Sequence, residues 1–193
     1  VYKSQPYLYA GQAKGAHVAA WKQAARAELA AVADVPYAMV LLDLVKAFER
    51  IPHHVVVREA IRHGYPLWLV RLSIATYRLE RVVRVGTAVS RMMIATRGIT
   101  AGSGFATTEL RVIMITIVDA AQLRHPCCWP TVYVDDVAIE CSGTAAFVKE
   151  HVVGFATIVC TMMEDDNLEL SQTKNLCTAS SDAIGLMVSG LLK

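Results

Sequence analysis

The sequence TVYVDDVAIE at residues 131–140 places two adjacent acids between two short apolar segments. The flanking residues are mostly β-branched or aromatic, which is typical of strands, and Asp is a common turn residue. We therefore predict a β-hairpin with Asp135 and Asp136 at its tip. Adjacent carboxylates repel each other unless a positive charge lies close to them. A simple turn without a ligand is the alternative interpretation of the same pair.

A third acid interrupts another apolar segment. The run YAMVLLDL at residues 37–44 follows Pro36 and has the length of a buried strand, and Asp43 lies near its end. A lone buried charge is costly, so this acid needs a partner. If the two strands are neighbours, Asp43 converges with Asp135, and the cluster favours Mg²⁺, which takes few protein carboxylates and completes its shell with water and phosphate. Two such ions stabilise the attacking and leaving oxygens of a phosphoryl transfer.

The composition indicates a folded protein. The chain has 193 residues, which is enough for one domain with a substantial core. Its residues are 54% hydrophobic and 19% charged, which excludes intrinsic disorder. The mean hydropathy of +0.38 is high, which fits either a well-packed core or surface that a further domain covers. The longest apolar run, 152–163, is too short for a membrane span, and no leader is evident, so we expect an intracellular protein without a membrane partner.

The charge is unevenly distributed along the chain. Residues 50–111 carry ten arginines and three glutamates, whereas residues 112–193 carry four bases and ten acids. A basic middle before an acidic end suggests a surface for a polyanion beside a carboxylate site. Arg81, Arg84 and Arg91, on a predicted hairpin, either contact nucleic-acid phosphates or are exposed strand charges.

The cysteines do not indicate a disulfide scaffold. Their number is odd and no C-x-x-C spacing occurs among Cys127, Cys128, Cys141, Cys160 and Cys177. His125, Cys127 and Cys128 lack the usual spacing of zinc ligands, and Pro126 and Pro130 indicate a loop. We therefore interpret this segment as a loop in a reduced protein rather than as a zinc site.

The rest of the pattern alternates helices with short strands. Periodicity and composition predict helices at residues 16–33, 53–63, 66–77, 103–123 and 145–164. Short apolar runs predict strands at residues 37–44, 81–86, 91–96, 131–134, 137–141, 168–170, 176–179 and 184–188. One hairpin makes the sheet partly antiparallel, so we predict an α+β or α/β class with helices packed on a sheet face.

Four segments, taken together, resemble the palm domain of reverse transcriptases. In order they are DLVKAFERIP at residues 43–52, RGITAGSGFA at 97–106, YVDD at 133–136 and LSQTK at 170–174. The details are most similar to non-LTR retroelement and group II intron enzymes. The resemblance implies an α+β polymerase palm, a ferredoxin-like sheet with helices on one face. It also implies a partial fingers segment at residues 1–36, a palm with inserted fingers elements at residues 37–193, and no thumb.

The same resemblance implies a nucleotidyltransferase, an RNA-directed DNA polymerase. A primer 3′-hydroxyl would attack the α-phosphate of a deoxynucleotide with two Mg²⁺ ions, for which Mn²⁺ is a possible substitute. The partners would be an RNA template, a DNA primer, dNTPs and the remainder of a longer polyprotein. For a eukaryotic retroelement, the compartment would be the nucleus.

The catalytic residues carry over from the motifs by position. Asp43 and Asp135 would bind both metals, with Asp136 as the weaker or second-shell acid, and Leu44 belongs to the same metal-binding set. Lys174 would protonate or neutralise the pyrophosphate leaving group; the alternative is a solvated lysine after a turn.

The substrate-binding residues carry over in the same way. Phe48 would be a steric gate that leaves no room for a 2′-hydroxyl, and Tyr133 would lie beside the primer end. Gly102 would let the backbone approach the nucleotide or template. Ala101 and Arg97 belong to the same loop and complete this set.

The chain also departs from the family pattern. Thr100 and Ala101 replace the usual Pro-Gln, and that Gln helps to position the nucleotide. The fingers residues that grip the triphosphate are not identified before Gly11, and Lys14, Lys22 and Arg26 are candidates for this role. The alternative function is therefore a non-catalytic nucleic-acid-binding remnant of a retroelement polymerase. A palm-type cyclase is less favoured because such cyclases lack YVDD and the glycine loop.

Overall fold

The computed structural model describes residues 5–10, 14–100, 102–171 and 173–190. In chain order the elements are α1 (Ala16–Val32), β1 (Tyr37–Leu42), α2 (Ala47–Arg50), α3 (His53–His63), α4 (Leu67–Tyr77), β2 (Arg84–Val85), β3 (Ala88–Val89), α5 (Ala106–Arg124), β4 (Trp129–Tyr133), β5 (Asp136–Ser142), α6 (Ala145–Asp165), β6 (Leu176–Ala179) and α7 (Asp182–Ser189). The main sheet has the order β4-β5-β1-β6, and each neighbouring pair is antiparallel. This confirms the predicted mixed class with an antiparallel sheet.

One face of the sheet is covered by α5 and α6. Alternate residues of β1 and β5 point into this layer because successive side chains of a strand point to opposite faces. They are Ala38, Val40, Leu42, Val137, Ile139 and Cys141, each at most 4% exposed. A stripe on α6 that includes Val152, Phe155 and Val159 is fully buried beside them. These side chains form the centre of the hydrophobic core.

Helix α6 is, within the described ranges, the one helix whose length and apolar composition would allow it to cross a membrane. Its buried stripe packs against α5, β5 and β1. These contacts agree with the sequence prediction of a buried helix over residues 152–163.

The opposite face of the sheet is partly covered by α1. The Arg26 guanidinium lies 2.6 Å from the Glu140 carboxylate, which is fully buried. The Tyr37 hydroxyl donates a second hydrogen bond to Glu140, at 2.9 Å. Burial, and then the Glu140 charge, raise the pKa of Tyr37, so the hydroxyl stays a donor. Helix α1 is thus attached to the sheet by a charged contact; the assignment of residues 1–36 to a fingers segment stays a prediction.

Three predicted strand assignments are wrong. Residues 168–170 form no strand, since only Leu170 is paired there, by an isolated bridge to Leu44. Residues 184–188 lie in α7, because the Ser181 hydroxyl accepts a hydrogen bond from the Ile184 N–H and begins a helix whose buried residues, Ile184 and Val188, are four positions apart. Residues 91–96 do not form a strand either. The exposed hairpin turns at Gly86 and pairs Arg84 with Val89, and the predicted second strand contributes a single bridge from Met93 to Arg81. Neither strand of this hairpin is buried, so burial does not fix its register.

Candidate active site

Strand pairing brings two of the predicted acids opposite each other. Strand β1 pairs with β5 so that Leu42 faces Val137. The next residue outward on β1 is Asp43, and the residue that precedes Val137 is Asp136, so their side chains lie on the same face of the sheet. The sequence argument required the two motifs to lie on neighbouring strands, and the pairing of β1 with β5 confirms this. The acid opposite Asp43 is Asp136, however, whereas the sequence analysis expected Asp135.

The hairpin tip carries Asp135 in a strained turn. Tyr133 pairs with Asp136, which leaves a loop of two residues, Val134 and Asp135. Val134 has φ of 61°, in the left-handed region that a β-branched residue rarely adopts. Its side chain is partly buried against the core, and this packing holds the turn in place. Backbone strain of this kind occurs most often at functional sites.

The three carboxylates interact electrostatically. Burial raises the pKa of Asp136, the charges of Asp135 and Asp43 raise it further, and Lys174 lowers it. An acid whose pKa is higher in the folded state disfavours folding once it ionises, so the cluster costs stability above the usual Asp titration range. Either a proton or a bound cation relieves this repulsion.

The donor set fits a hard divalent cation. Oδ2 of Asp43 is buried and accepts no hydrogen bond from the described residues, although Lys174 Nζ lies 3.3 Å away as an ion pair. Asp43 and Asp136 both interact with Lys174, and Asp135 adds a third carboxylate that interacts with Asp136, which leaves excess negative charge. Carboxylate oxygens are preferred ligands of Mg²⁺. Leu44 offers only its backbone carbonyl, since its side chain has no donor and is buried.

The segment that carries Lys174 is fixed against Asp43 by its backbone. Asp43 accepts a hydrogen bond at its carbonyl from Ser171 N–H, at 2.8 Å, and donates its own N–H to the Asn175 side chain, at 3.0 Å. The Lys174 N–H is held by the Ser171 hydroxyl at 3.2 Å. These bonds explain why the LSQTK motif and the first acid come together; Gln172 lies outside the described residues.

A cavity of about 440 Å³ opens beside the acids. Its walls include Asp43, Asp136, Tyr133 and Lys174, and α1 closes one side. Thr131 also lines this cavity, and its hydroxyl is buried with no hydrogen-bond partner among the described residues. Buried hydroxyls nearly always have a partner, so this one is available to a ligand or water. Tyr133 is 37% exposed at the same opening.

Sequence reasoning missed the contribution of α1 to this cavity. The helix lines it with small side chains and one amide, namely Ala16, Ala19, Ala20 and Gln23. The alanines are a helix-forming signal in the sequence, but nothing local indicates which face of the sheet they approach. Among the triphosphate candidates, Arg26 is engaged by Glu140, and Lys14 and Lys22 lie over the ring of Tyr9.

The glycine loop packs against the segment that follows Asp43. Ile99 donates its N–H to the Phe48 carbonyl at 2.7 Å, and Gly98 donates to the Ile51 carbonyl at 2.7 Å. Arg97 is bridged to Pro52. The loop and the first motif therefore form one unit beside the acids.

Three other predicted substrate residues, Phe48, Arg97 and Gly102, are not among the residues that line the cavity. Within the described residues, the lining includes neither Phe48, which packs partly against the core, nor the exposed Arg97. Gly102 is exposed and has φ of 87°, in the left-handed region that suits glycine. Ala101 lies outside the described residues.

We predict that Gly98→Ala destabilises the protein by about 2–4 kcal/mol, the sum of left-handed strain and overpacking. Gly98 has φ of 92°, and an added Cβ would lie 2.8 Å from the Glu49 carbonyl oxygen. Urea denaturation measures the loss. Gly102→Ala, with positive φ but open space, is expected to cost about 1 kcal/mol. Gly104→Ala has neither constraint, and a similar loss in all three variants would contradict the steric account.

Among the comparisons with known proteins, the one with solved structures bears on the fold. No family model and no curated protein matches the chain. Among solved structures, it is similar to apo telomerase from Candida tropicalis truncated from its C-terminal domain, with TM-score 0.63, 9% identity, and coverage of 91% of this chain and 36% of that one. Telomerase from Candida albicans in complex with a TWJ fragment of telomeric RNA gives TM-score 0.64 and 10% identity, covering 92% and 32%. The Candida tropicalis complex with this fragment gives 0.65 and 10%, covering 91% and 30%.

These similarities show a reverse-transcriptase-like fold. At 9–10% identity they concern the fold alone, and the chain spans about a third of the telomerase chains that it matches. The predicted palm-like architecture is confirmed at this level. The closer similarity to retroelement enzymes stays a prediction.

Proposed function

We propose that the chain is the palm of an RNA-directed DNA polymerase that adds dNTPs to a primer 3′-hydroxyl. The observation that carries the proposal is the pairing of β1 with β5, which sets Asp43 opposite Asp136, whose carboxyl also interacts with Asp135. Those acids line or adjoin a cavity with unpartnered buried oxygens, in a reverse-transcriptase-like fold. The specific reaction, RNA-directed DNA synthesis, is inferred from the four motifs and their order in the sequence.

The residues of the site suggest a division of labour. Asp43, Asp135 and Asp136, with the Leu44 carbonyl, would hold two Mg²⁺ ions, which when bound stabilise the attacking and leaving oxygens. Lys174 lies on the same cavity wall, where its ammonium group would neutralise or protonate the leaving pyrophosphate. Catalysis of this type depends mainly on positioning and charge stabilisation.

The substrate would be held by residues around the cavity. Tyr133 borders the opening, where we place the primer end, and Phe48 follows Asp43 as the proposed gate against ribonucleotides. The exposed arginines of the β2–β3 hairpin, Arg81, Arg84 and Arg91, are suited to template or primer phosphates. Two of the similar telomerase structures contain an RNA fragment, which is consistent with an RNA partner.

The deciding experiment is primer extension on an RNA template with dNTPs and Mg²⁺. Extension by the chain, and none by the Asp135→Asn variant, would support the polymerase. A gel-shift assay on the same primer–template measures binding separately. Binding without extension, both in this chain and after fusion to a polymerase thumb, would favour the alternative of a non-catalytic remnant. Extension only after the fusion would show an active palm that requires a thumb.

Lys174→Ala is expected to raise the apparent affinity for Mg²⁺ several-fold while lowering the extension rate. The lysine lies 3.3 Å from Asp43, so its removal increases the negative potential at the proposed metal site. The effect is limited by solvent screening because the lysine side chain is 71% exposed. The Mg²⁺ concentration at half-maximal thermal stabilisation measures the affinity. Lys149→Ala on α6 is the matched control, and equal shifts in both variants would contradict a local effect.

A further inference from the structure

Three thiols from two distant parts of the chain meet at the other end of the sheet. The Sγ atoms of Cys127, Cys128 and Cys141 all lie within 4.8 Å of one another. Cys127 and Cys128 belong to the loop between α5 and β4, and Cys141 lies on β5 opposite Ala38. Cys141 is five residues along β5 from Asp136, about 17 Å in an extended strand. The cluster is therefore separate from the carboxylate cavity.

The cluster is held in place before any ligand arrives. Gln122 Nε2 donates to the Cys128 carbonyl at 3.0 Å and to the Pro126 carbonyl at 3.2 Å. The Cys128 N–H donates to the His125 carbonyl at 3.1 Å, which closes the loop after α5. Cys141 is fixed by the ladder between β1 and β5. The backbone on which the three thiols lie is therefore held by hydrogen bonds, both in the loop after α5 and in strand β5.

The spacing suits a thiophilic cation. Sulfurs around a tetrahedral zinc, with Zn–S bonds near 2.3 Å, lie about 3.8 Å apart, so the present separations need to contract by about 1 Å at most. Cys128 and Cys141 are 1% and 0% exposed, whereas Cys127 is partly exposed and offers a path from solvent. Soft thiolates select ions such as Zn²⁺ and Cd²⁺ over Mg²⁺.

We propose that Cys127, Cys128 and Cys141 form a three-thiolate site for a thiophilic divalent cation such as zinc. Among the described residues, the candidate ligand group consists of these three thiols. A water would therefore occupy the fourth position of a tetrahedral ion. The ion would connect the loop after α5 to strand β5 and thereby stabilise the hairpin that carries the acids. Local spacing did not predict this site, because two ligands are adjacent in sequence and the third is 13 residues further on.

The test is a Cd²⁺ titration of the whole chain, reduced and freed of metal, followed by its thiolate-to-cadmium charge-transfer absorption. We expect one Cd²⁺ per chain, competition by Zn²⁺ but not by Mg²⁺, and a higher melting temperature with metal. Cys127→Ser, the partly exposed member, should keep the fold by circular dichroism and weaken binding at least about tenfold. Cys141→Ser should abolish binding in a chain whose fold is checked in the same way.

The other two cysteines supply matched controls. Cys160 and Cys177 lie outside the cluster, so Cys160→Ser and Cys177→Ser should leave the Cd²⁺ titration unchanged. The proposal is overturned by the absence of stoichiometric binding, or by binding that Cys127→Ser does not weaken. It is also overturned if mass spectrometry of the protein purified without reductant finds a Cys128–Cys141 disulfide and the reduced protein binds no metal. None of these readouts depends on polymerase activity, so this proposal and the proposed function fail independently.

Discussion

Asp43→Asn is expected to reduce primer extension by at least about 10²–10³-fold, the usual effect of removing one electrostatic contact to the transition state. The asparagine keeps the shape of the side chain but removes the charge that the proposed Mg²⁺ site requires. The variant should also lose thermal stabilisation by Mg²⁺, which is measured in the same buffer without substrates. Its fold should remain, since Asp43 Oδ2 accepts no hydrogen bond among the described residues.

Asp165→Asn is the matched control for this prediction. Asp165 is an exposed acid at the end of α6 and is not among the residues that line the cavity. Extension and the Mg²⁺-induced melting shift should both be unchanged in that variant. Retention of activity in Asp43→Asn would rule out a catalytic role for the acid cluster. Loss of activity together with loss of fold would instead indicate a structural role.

Arg26→Met is expected to lower the free energy of unfolding by about 3 kcal/mol, because removal of one partner leaves a buried charge uncompensated. The Glu140 side chain is fully buried, and Arg26 is only 26% exposed, so solvent replaces little of the lost contact. The remaining partner of the carboxylate is the Tyr37 hydroxyl. Urea denaturation measures the loss, and limited proteolysis within α1 should become faster.

A second substitution distinguishes the effect of the buried Glu140 charge on stability from the effect of losing the Arg26 side-chain packing. In Arg26→Met with Glu140→Gln, the neutral amide still accepts from Tyr37, and we expect most of the lost stability to return. Arg71→Met, at an exposed position on α4, should change stability by less than about 0.5 kcal/mol. If Arg26→Met resembles this control, then α1 is held on the sheet by other contacts.

Local signals predicted most of the secondary structure. Helix α3 begins and ends where the sequence indicated, at His53 and His63, because Gly64 takes the left-handed cap with φ of 65°. Helix α6 was predicted from a different signal, the helical spacing of its apolar residues, which form one buried stripe along its length. The errors at residues 91–96, 168–170 and 184–188 arise in short segments, where neither the apolar pattern nor the length distinguishes a strand from a loop or a helix. At α7 the Ser181 cap was the available signal.

The site was predicted in part. The motifs identified Asp43, the hairpin acids and Lys174, and the structure brings these residues together. The metal and substrate roles of these residues stay predictions. No sequence pattern indicated that Thr131 and α1 complete the cavity, or that Gly98 lies against the Glu49 carbonyl. Such contacts join residues that are far apart in the chain, so no local pattern reports them.

The sequence by itself determined helices α1 and α3–α6, the hairpin that carries the acids, the order of the four motifs and the mixed class, because capping, turn chemistry and apolar period act over a few residues. Only the tertiary structure decided that β5 pairs with β1, that Glu140 is buried against Arg26, and that Cys141 joins Cys127 and Cys128. Strand order depends on which apolar faces pack against the helices. This packing involves residues from the whole core, which are far apart in the chain.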